Sequence, residues 1–344
     1  MKTLVRLFSI LALPLLLAWA EGALASRAQG HLGFLGIAKE TTWGTAVAAT
    51  DYVELLSENI STGIDRFPTR NIFSGFYEPD DYAGAHRTSG SISHAGHPVS
   101  LGHLLKGVFT NISQTTILSG FLWNLNFTGT KSEFADGVPR QPYTMEVNRN
   151  ISSGSHRYTG ALLNRLTMAL APNQDLRVTA DWLAKTRSMI TATTPSFPGS
   201  STDPFTFDTA SVQIAGLANT RLEAFQMVID NQLEGILSLN NTNEIARIRA
   251  QGPQMIKISG TLDFADNLEE LDFINQTERP IIITLTRAQS FALHIEAPRF
   301  VYNTFPMGMP GRGRLTVGFD GQARYLASSL AAVRVQLTST KSNY

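Results

Sequence analysis

The feature that most constrains the fold of this chain is a two-residue alternation of apolar and polar side chains that recurs along most of its length. The clearest runs are residues 52–56, 91–93, 166–170, 176–180, 224–229, 256–262, 281–285, 314–319 and 333–337. Successive side chains of a strand point to opposite faces of a sheet, so such runs, separated by Gly, Pro and Asn, indicate strands with one buried face. The sequence therefore predicts a mainly β protein.

The two halves of the chain repeat the same order of patterns. A strand pattern at Gly90 is followed by a short helical pattern at residues 100–106, and a strand pattern at Gly260 is followed by another at 268–274. A strand, a turn and a second strand then follow at 166–181 and again at 300–319. This order predicts two tandem β units, each a sandwich or half-barrel with one short helix; two unrelated β domains are the alternative.

The segment between the halves, 191–204, is rich in Pro, Ser, Thr and Gly and has no hydrophobic period, which indicates a linker. The predicted organisation is a leader at 1–25, an N-terminal arm at 26–50, a first unit at 51–195 with an insertion at about 111–140, a linker at 196–206 and a second unit at 207–344.

The first 25 residues have the pattern of a signal peptide. Lys2 and Arg6 precede an apolar run at residues 7–20, and Ala23-Leu24-Ala25 supplies a small-residue cleavage pattern, so cleavage is expected after Ala25. The apolar run is too short for a stable transmembrane helix, and no lasting membrane anchoring is expected. The alternative is a start codon assigned too far upstream.

Six Asn-x-Ser/Thr sequons are candidate glycosylation sites if the chain is exported. They lie at Asn59, Asn111, Asn126, Asn150, Asn240 and Asn275. Asn in the turns of an Asn- and Thr-rich β protein is the other interpretation.

Two stretches carry a resemblance to a known family. The segment GIAKETTWGTA at residues 36–46, followed by the run at 52–56, resembles the opening of long bacteriophage tail tube proteins, and FPMGMPGRGRLTVGF at 305–319 resembles their ending. In layout the resemblance extends over about residues 31–340. It implies duplicated tube folds that form stacked rings around a hollow channel for the genome, with three subunits in a pseudo-sixfold ring.

The resemblance also implies the partners and the location. The chain would associate with itself and with other tail proteins, and DNA would be only a transient cargo in the channel. Tail tubes assemble in the host cytoplasm and become part of the virion, whereas the leader indicates export. If the leader is used, the product would instead be a secreted tail-tube-like filament.

Composition independently favours self-association. Charged residues make up only 16% of the chain and hydrophobic residues 43%, which suits broad interfaces depleted in charge. A long loop is expected at residues 64–87, either as an arm that reaches a neighbouring ring or folded over its own unit. Its candidate arm residues are Arg66, Phe67, Phe73, Phe76, Tyr77 and Tyr82.

The glycine-rich stretch near residue 311 is predicted to be a hairpin loop between strands, with Met307, Met309, Arg312 and Arg314 as candidate contact residues. Two of these are basic, so contact with phosphate is the alternative role.

Catalytic and metal-binding patterns are not found. Cysteine is absent, and the P-loop, dinucleotide-binding and nucleophile-elbow motifs do not occur. Four histidines, His86, His94, His97 and His103, are close in sequence but are expected to be solvated rather than to bind a metal. We expect a structural protein that is not an enzyme and needs no cofactor.

The sequence also allows a different class of function. An exported β-sandwich that binds carbohydrate or adheres to surfaces could use Trp43, Trp123 and Trp182 as stacking platforms.

Overall fold

The structure is a computed structural model that describes residues 28–68, 80–126, 140–151, 154–197, 203–288, 290–309, 311–327 and 331–344. The leader therefore lies outside the described residues, together with the middle of the expected linker and residues 127–139 of the expected insertion.

Strands dominate both halves. In the first half they are β1 (Phe34–Lys39), β2 (Asp51–Val53), β3 (Ser57–Glu58), β4 (Ser61–Pro68), β5 (Asp81–Ala95), β6 (Asn111–Ile117), β7 (Gly120–Asn126), β8 (Tyr143–Asn148), β9 (Ser155–Leu170), β10 (Arg177–Ala184) and β11 (Thr186–Ile190). In the second half they are β12 (Ala210–Ile214), β13 (Leu217–Ala218), β14 (Leu222–Asp230), β15 (Leu233–Ile236), β16 (Arg247–Ala250), β17 (Met255–Asp263), β18 (Arg279–Ala288), β19 (Phe291–Thr304), β20 (Thr316–Ala323) and β21 (Arg334–Ser339).

Two short α-helices accompany these strands, α1 (Leu101–Val108) and α2 (Leu268–Ile274). Single turns of 3₁₀-helix are formed by Gly30–Leu32 and Phe207–Thr209. The mainly β prediction and both predicted helices are confirmed.

Two local predictions are wrong. The expected strand at residues 52–56 ends at Val53, because the chain there turns from β1 toward β5. The Leu56 N–H donates to the carbonyl oxygen of Ser93 in β5 at 2.8 Å. The expected long loop at 64–87 is instead mostly a hairpin, in which β4 pairs with β5 from Ser61↔Ser89 to Pro68↔Asp81. Only residues 69–79 of that segment lie outside the described chain.

One continuous antiparallel sheet runs through both halves in the order β4, β5, β10, β9, β14, β17, β20, β19. The first four strands come from the first half of the chain and the last four from the second. The joint between the halves is the pairing of β9 with β14. The outer strands β4 and β19 do not pair with each other in the described chain.

The long strands β9 and β19 each belong to two sheets. The N-terminal half of β9 pairs with β8 and β11, and β8 continues to β1 and β2. The N-terminal half of β19 pairs in the same way with β18 and β21, and β18 continues to β12 and β13. The same set of pairings therefore occurs once in each half of the chain.

The N-terminal motif fixes the point at which β9 passes between sheets. Gly160 has φ +64° there, a backbone conformation that a side chain would strain. Its N–H donates to the buried Glu40 Oε1 at 2.8 Å, and its carbonyl accepts a hydrogen bond from Trp43 Nε1 at 2.9 Å. Glu40 Oε1 also accepts from Thr144 Oγ1 at 2.7 Å, and its other oxygen accepts from the Gly44 N–H at 2.7 Å. The motif at residues 36–46 therefore stabilises the bend of β9.

The core lies between the continuous sheet and the sheets that branch from it. Its largest fully buried side chains include Trp182, Tyr143 and Tyr158. Phe205, in the segment expected to be a linker, is also fully buried, and its backbone bonds to Gly96 and Leu176. The connection between the halves is thus partly packed into the core.

The hairpin of β6 and β7 ties the first half to the second. It follows α1 directly, within the expected insertion, and β7 pairs with β21 from Phe121↔Ser339 to Asn126↔Arg334. Trp123 of β7 packs edge-on against Tyr344 with ring centroids 5.1 Å apart.

Candidate self-association surfaces

The joint between β9 and β14 is a strand-to-strand contact between the two halves. It contains six residue pairs, from Leu170↔Phe225 to Arg165↔Asp230. The Arg165 guanidinium lies 2.8 Å from Asp230 Oδ2, and the buried Asn231 side chain donates to Leu163 O at 3.1 Å. Backbone pairing, an ion pair and a buried polar anchor therefore hold two four-stranded units edge to edge.

The first open edge of the continuous sheet is β4. In the described chain it pairs with β5 and, on its other side, with no strand. Ile64 is 48% exposed. The N–H of the opposite residue, His86, donates to Asn243 O at 2.7 Å, away from β4, so the pair Ile64–His86 is a non-hydrogen-bonded pair. The N–H of Ile64 therefore points out of the open edge.

The second open edge is the end of β19. Residues 300–304 pair with β20 on one side. On the other side β18 reaches only to Phe300, so residues beyond it meet no strand of the described chain. The matching part of β9 is covered on this side by β14. The edge that is closed by the internal joint in the first half is therefore open in the second.

The described arm candidates lie on the β4–β5 hairpin. Phe67 and Tyr82 face each other across the two strands, with stacked rings 5.8 Å apart, and are 55% and 51% exposed. Arg66 is also exposed. The other three candidates, Phe73, Phe76 and Tyr77, lie outside the described residues. An exposed aromatic pair is therefore carried by a hairpin that projects from the end of the sheet.

The hairpin-loop candidates lie between β19 and β20. Met307 and Met309 are 46% and 80% exposed, and Arg312 is exposed. Arg314 pairs with Glu223 at 2.5 Å and lies 3.8 Å from Asp263. Two acidic partners thus compete with any anion for Arg314.

The face of the continuous sheet opposite the core is polar. Cross-strand rows such as Ser93, Thr179 and Thr167 lie on it, while the alternate positions, such as Val178 and Met168, are buried. Charged residues of both signs lie on this face: Arg165, Arg177 and Lys257, with Asp181, Asp230 and Asp320. The face carries no apolar patch and no excess of one charge among these residues.

The sequon asparagines occupy varied positions. Asn59, Asn111, Asn240 and Asn275 are exposed, whereas Asn126 and Asn150 are half-buried. Asn59 Oδ1 accepts from the Ser91 N–H at 2.6 Å, and Asn111 Nδ2 donates to Asn126 Oδ1 at 2.7 Å. Asn150 has φ +53°, a turn conformation that Asn tolerates.

The expectation that the four clustered histidines are solvated is wrong for two of them. His94 is fully buried, and burial lowers its pKa to about 4, although its ring donates to the Ala95 carbonyl. His103 is buried beneath the chain end, and burial lowers its pKa as well despite its contact with Asp51 at 3.2 Å. Both occupy inward positions of packed elements, which sequence spacing alone did not reveal. In the described residues no group of three or more His, Asp or Glu could hold a metal ion.

The three candidate tryptophans, all of which lie in the described chain, do not form an exposed binding platform. Trp182 and Trp123 are 1% and 6% exposed, and Trp43 bonds to Gly160 while Lys185 lies 4.8 Å from its ring centroid. A stacking surface for carbohydrate would need exposed ring faces, so these residues do not favour the carbohydrate-binding alternative.

One exposed surface was missed at the sequence level. Leu268, Leu271 and Ile274 of α2 are 61%, 43% and 62% exposed and lie on one face of the helix. Their spacing of three residues was available in the sequence, but the acidic residues between them suggested an ordinary polar helix.

No described helix is long and apolar enough to span a bilayer. A search of curated proteins found no match to the chain. A family model described as phage tail tube protein matches residues 30–331. The match extends over the N-terminal motif, strands β1 to β20 and the hairpin loop, so the chain belongs to the phage tail tube protein family.

Proposed function

We propose that this protein is a structural subunit that closes into rings, and that stacked rings form the hollow tube of a phage tail. Membership of the family implies a component of the virion that associates with itself and with other tail proteins.

The observation that carries the proposal is the internal joint between β9 and β14. It joins two four-stranded units into one sheet and leaves the sheet with open edges at β4 and at the end of β19. An exposed edge strand invites pairing with another chain unless it is blocked or covered. If the end of β19 pairs with β4 of the next copy as β9 pairs with β14, each chain adds two four-stranded units to one continuous sheet.

A contact of this kind is heterologous, because different surfaces of the two copies meet, and it closes only as a ring. We propose that the two units of the chain arose by duplication, in agreement with the set of pairings that occurs once in each half. Three chains would then supply six units to a pseudo-sixfold ring.

The polar face of the continuous sheet would line the channel, and the core face would lie outward from it. Hydroxyl and amide groups with charges of both signs offer DNA neither a hydrophobic surface nor a strong electrostatic trap. DNA would therefore pass as a transient cargo without lasting binding. In the same arrangement the β4–β5 hairpin, with Phe67 and Tyr82 at its sides, would reach toward the adjacent ring.

We propose that the particle is a virion tail assembled in the host cytoplasm; a secreted filament would follow if the leader is used. Neither setting requires catalysis, a cofactor or a metal.

Negative-stain electron microscopy and sedimentation velocity of the purified protein test the proposal. Rings or tubes with an axial hole are expected, and the masses of the larger particles should be multiples of the mass of one ring. A protein that stays monomeric up to high concentration, with no growth on preformed tail ends, would contradict it.

The ring-closing contact can be tested separately, because the natural chain has no cysteine. Protein carrying Thr62→Cys, on the open edge of β4, is mixed with protein carrying Asn303→Cys, near the end of β19. A short bis-maleimide should link the two proteins in the mixture. Either protein alone is the control and should give few linked dimers.

A further inference from the structure

The first helix has no exposed apolar face because the second half of the chain covers it. The ring of Tyr344, which follows β21, lies against Gly102, where an added Cβ would sit 2.3 Å from ring atoms. The His103 and Tyr344 ring centroids are 5.3 Å apart, and Lys106 Nζ donates to Tyr344 O at 2.8 Å. Leu101, Leu104 and Leu105 beneath them are fully buried.

The second helix occupies the same place in its own half, but no segment of the described chain covers it in this way. The helix α1 follows β5, which pairs with β10, and α2 follows β17, which pairs with β20. Each helix packs on the long bent strand of its half, α1 on β9 and α2 on β19. On α2, however, Leu268, Leu271 and Ile274 form an apolar face that is about half exposed or more.

The strand that corresponds to β21 in the first half is β11. Each pairs with the N-terminal half of the long bent strand, β21 with β19 and β11 with β9. Two large apolar side chains are exposed on β11 and the segment after it: Met189 at 45% and Phe197 at 39%. Among the described residues of the same chain, no helix equivalent to α1 packs on β11.

We propose that the apolar face of α2 (Leu268, Leu271 and Ile274) is covered, in the assembled ring, by β11 and residues 191–197 of the next copy. The inference rests on the proposed ring, because the next copy presents its first unit to the second unit of its neighbour. It repeats between chains the contact that Lys341 and Tyr344, in the segment after β21, make with α1 inside one chain.

Charge is complementary across this contact. Glu270 lies beside Leu271 on α2, and the exposed Arg187 lies two residues before Met189 on β11. Removal of the apolar face from water would supply most of the driving force, and the opposite charges would favour the correct orientation.

The first test is the double variant Leu271→Lys with Ile274→Lys. Lysines suit the monomer, because they lie among acidic residues and near the C-terminal end of a helix. In the contact they would be buried and would face Arg187, so ring formation should weaken about 100-fold or more. The matched control is Leu118→Lys with Leu239→Lys, which makes the same chemical change at side chains that are 111% and 109% exposed.

The second test locates the contact. Ile274→Cys protein is mixed with Met189→Cys protein and treated with a short bis-maleimide. The mixture should yield linked dimers, and each protein alone should not. Labelling of Ile274→Cys by a soluble maleimide should also slow about tenfold on assembly, as expected for a covered site, while Leu239→Cys should label at an unchanged rate.

The outcomes separate this inference from the proposed function. Rings that form equally well from the lysine double variant, or that leave the Ile274→Cys thiol as reactive as in the monomer, would overturn the inference alone. Slow maleimide labelling of the Ile274→Cys thiol already in the monomer would show that the chain itself covers α2, and this result would also overturn the inference. A parent protein that never associates would overturn the ring and the α2 contact together.

Discussion

Replacing Ile64 by proline should block the joining of copies through the open edge of β4. The N–H of Ile64 points out of that edge, because the opposite His86 donates away from β4 to Asn243 O. Proline at this position removes an outward donor and places its ring in the space of an incoming strand. It removes no hydrogen bond between β4 and β5, so the hairpin itself should persist.

The size of the effect follows from the internal joint, which serves as the template for the contact between copies. That joint has six residue pairs. Each backbone hydrogen bond contributes a net of about 1 kcal/mol, and displacement of the incoming strand by the ring affects at least one neighbouring pair. A loss of about 2 kcal/mol for each contact weakens association about 30-fold.

Sedimentation velocity over a range of concentrations measures this loss. Ile64→Thr is the matched control, since it keeps the N–H and the β-branched shape and should assemble like the parent. The unfolding midpoint of both variants in urea checks that the monomer is intact. Assembly of Ile64→Pro at the parental concentration would refute the reasoning that β4 is a ring-closing edge.

Three further predictions concern the hairpin, the N-terminal motif and a buried histidine. Phe67→Asp with Tyr82→Asp should leave rings intact but prevent their stacking, as seen by electron microscopy; long tubes from this variant would exclude the hairpin as the stacking arm. Glu40→Ala leaves three donors without their acceptor, two of them buried and the Gly44 N–H half-buried, and should lower the free energy of unfolding by about 3 kcal/mol or more in urea titrations. A loss below about 1 kcal/mol would mean that the bend of β9 does not depend on Glu40. The pKa of His94 is lowered by burial to about 4, so the unfolded state binds more protons than the folded state between about pH 6.5 and pH 4. Stability should therefore be complete above pH 6.5 and fall by up to about 3 kcal/mol as the pH drops to 4, and His94→Gln should flatten this slope; an equal slope in the variant would assign it to other groups.

The alternating patterns predicted most of the strands that carry the core. Residues 256–262 and 281–285 lie within β17 and β18, and 166–170 lie within β9. These strands could be predicted because one face of each is buried, and burial of one face requires an apolar residue at every second position.

The predictions failed where neighbours rather than local pattern decide the structure. The strand β4 has exposed side chains at most positions and therefore no clear alternation, yet pairing with β5 makes it a strand. Likewise, the sequence did not indicate that Phe205, in the expected linker, is buried, because its surroundings come from distant segments.

Some of the self-association surfaces could likewise be predicted from the sequence, and others could not. The aromatic residues of the hairpin and the methionines near residue 308 could be chosen from the sequence, because exposed apolar side chains in turn-rich segments suggest contacts. The apolar face of α2 could not be chosen from the sequence, because its Leu and Ile residues have the spacing of an ordinary core face. This face is distinguished only because no described segment covers it, whereas the first helix is covered by the second half of the chain.

By itself, the sequence determined the class of fold, the two short helices and the family, since period, turn residues and local motifs are properties of neighbouring positions along the chain. Tertiary structure determined which strands meet: β9 joins β14, whereas one edge of β4 and of the end of β19 pairs with no described strand. Strand pairing is a long-range interaction between backbones, and backbone groups are nearly the same for every residue, so the sequence carries little record of which edge meets which.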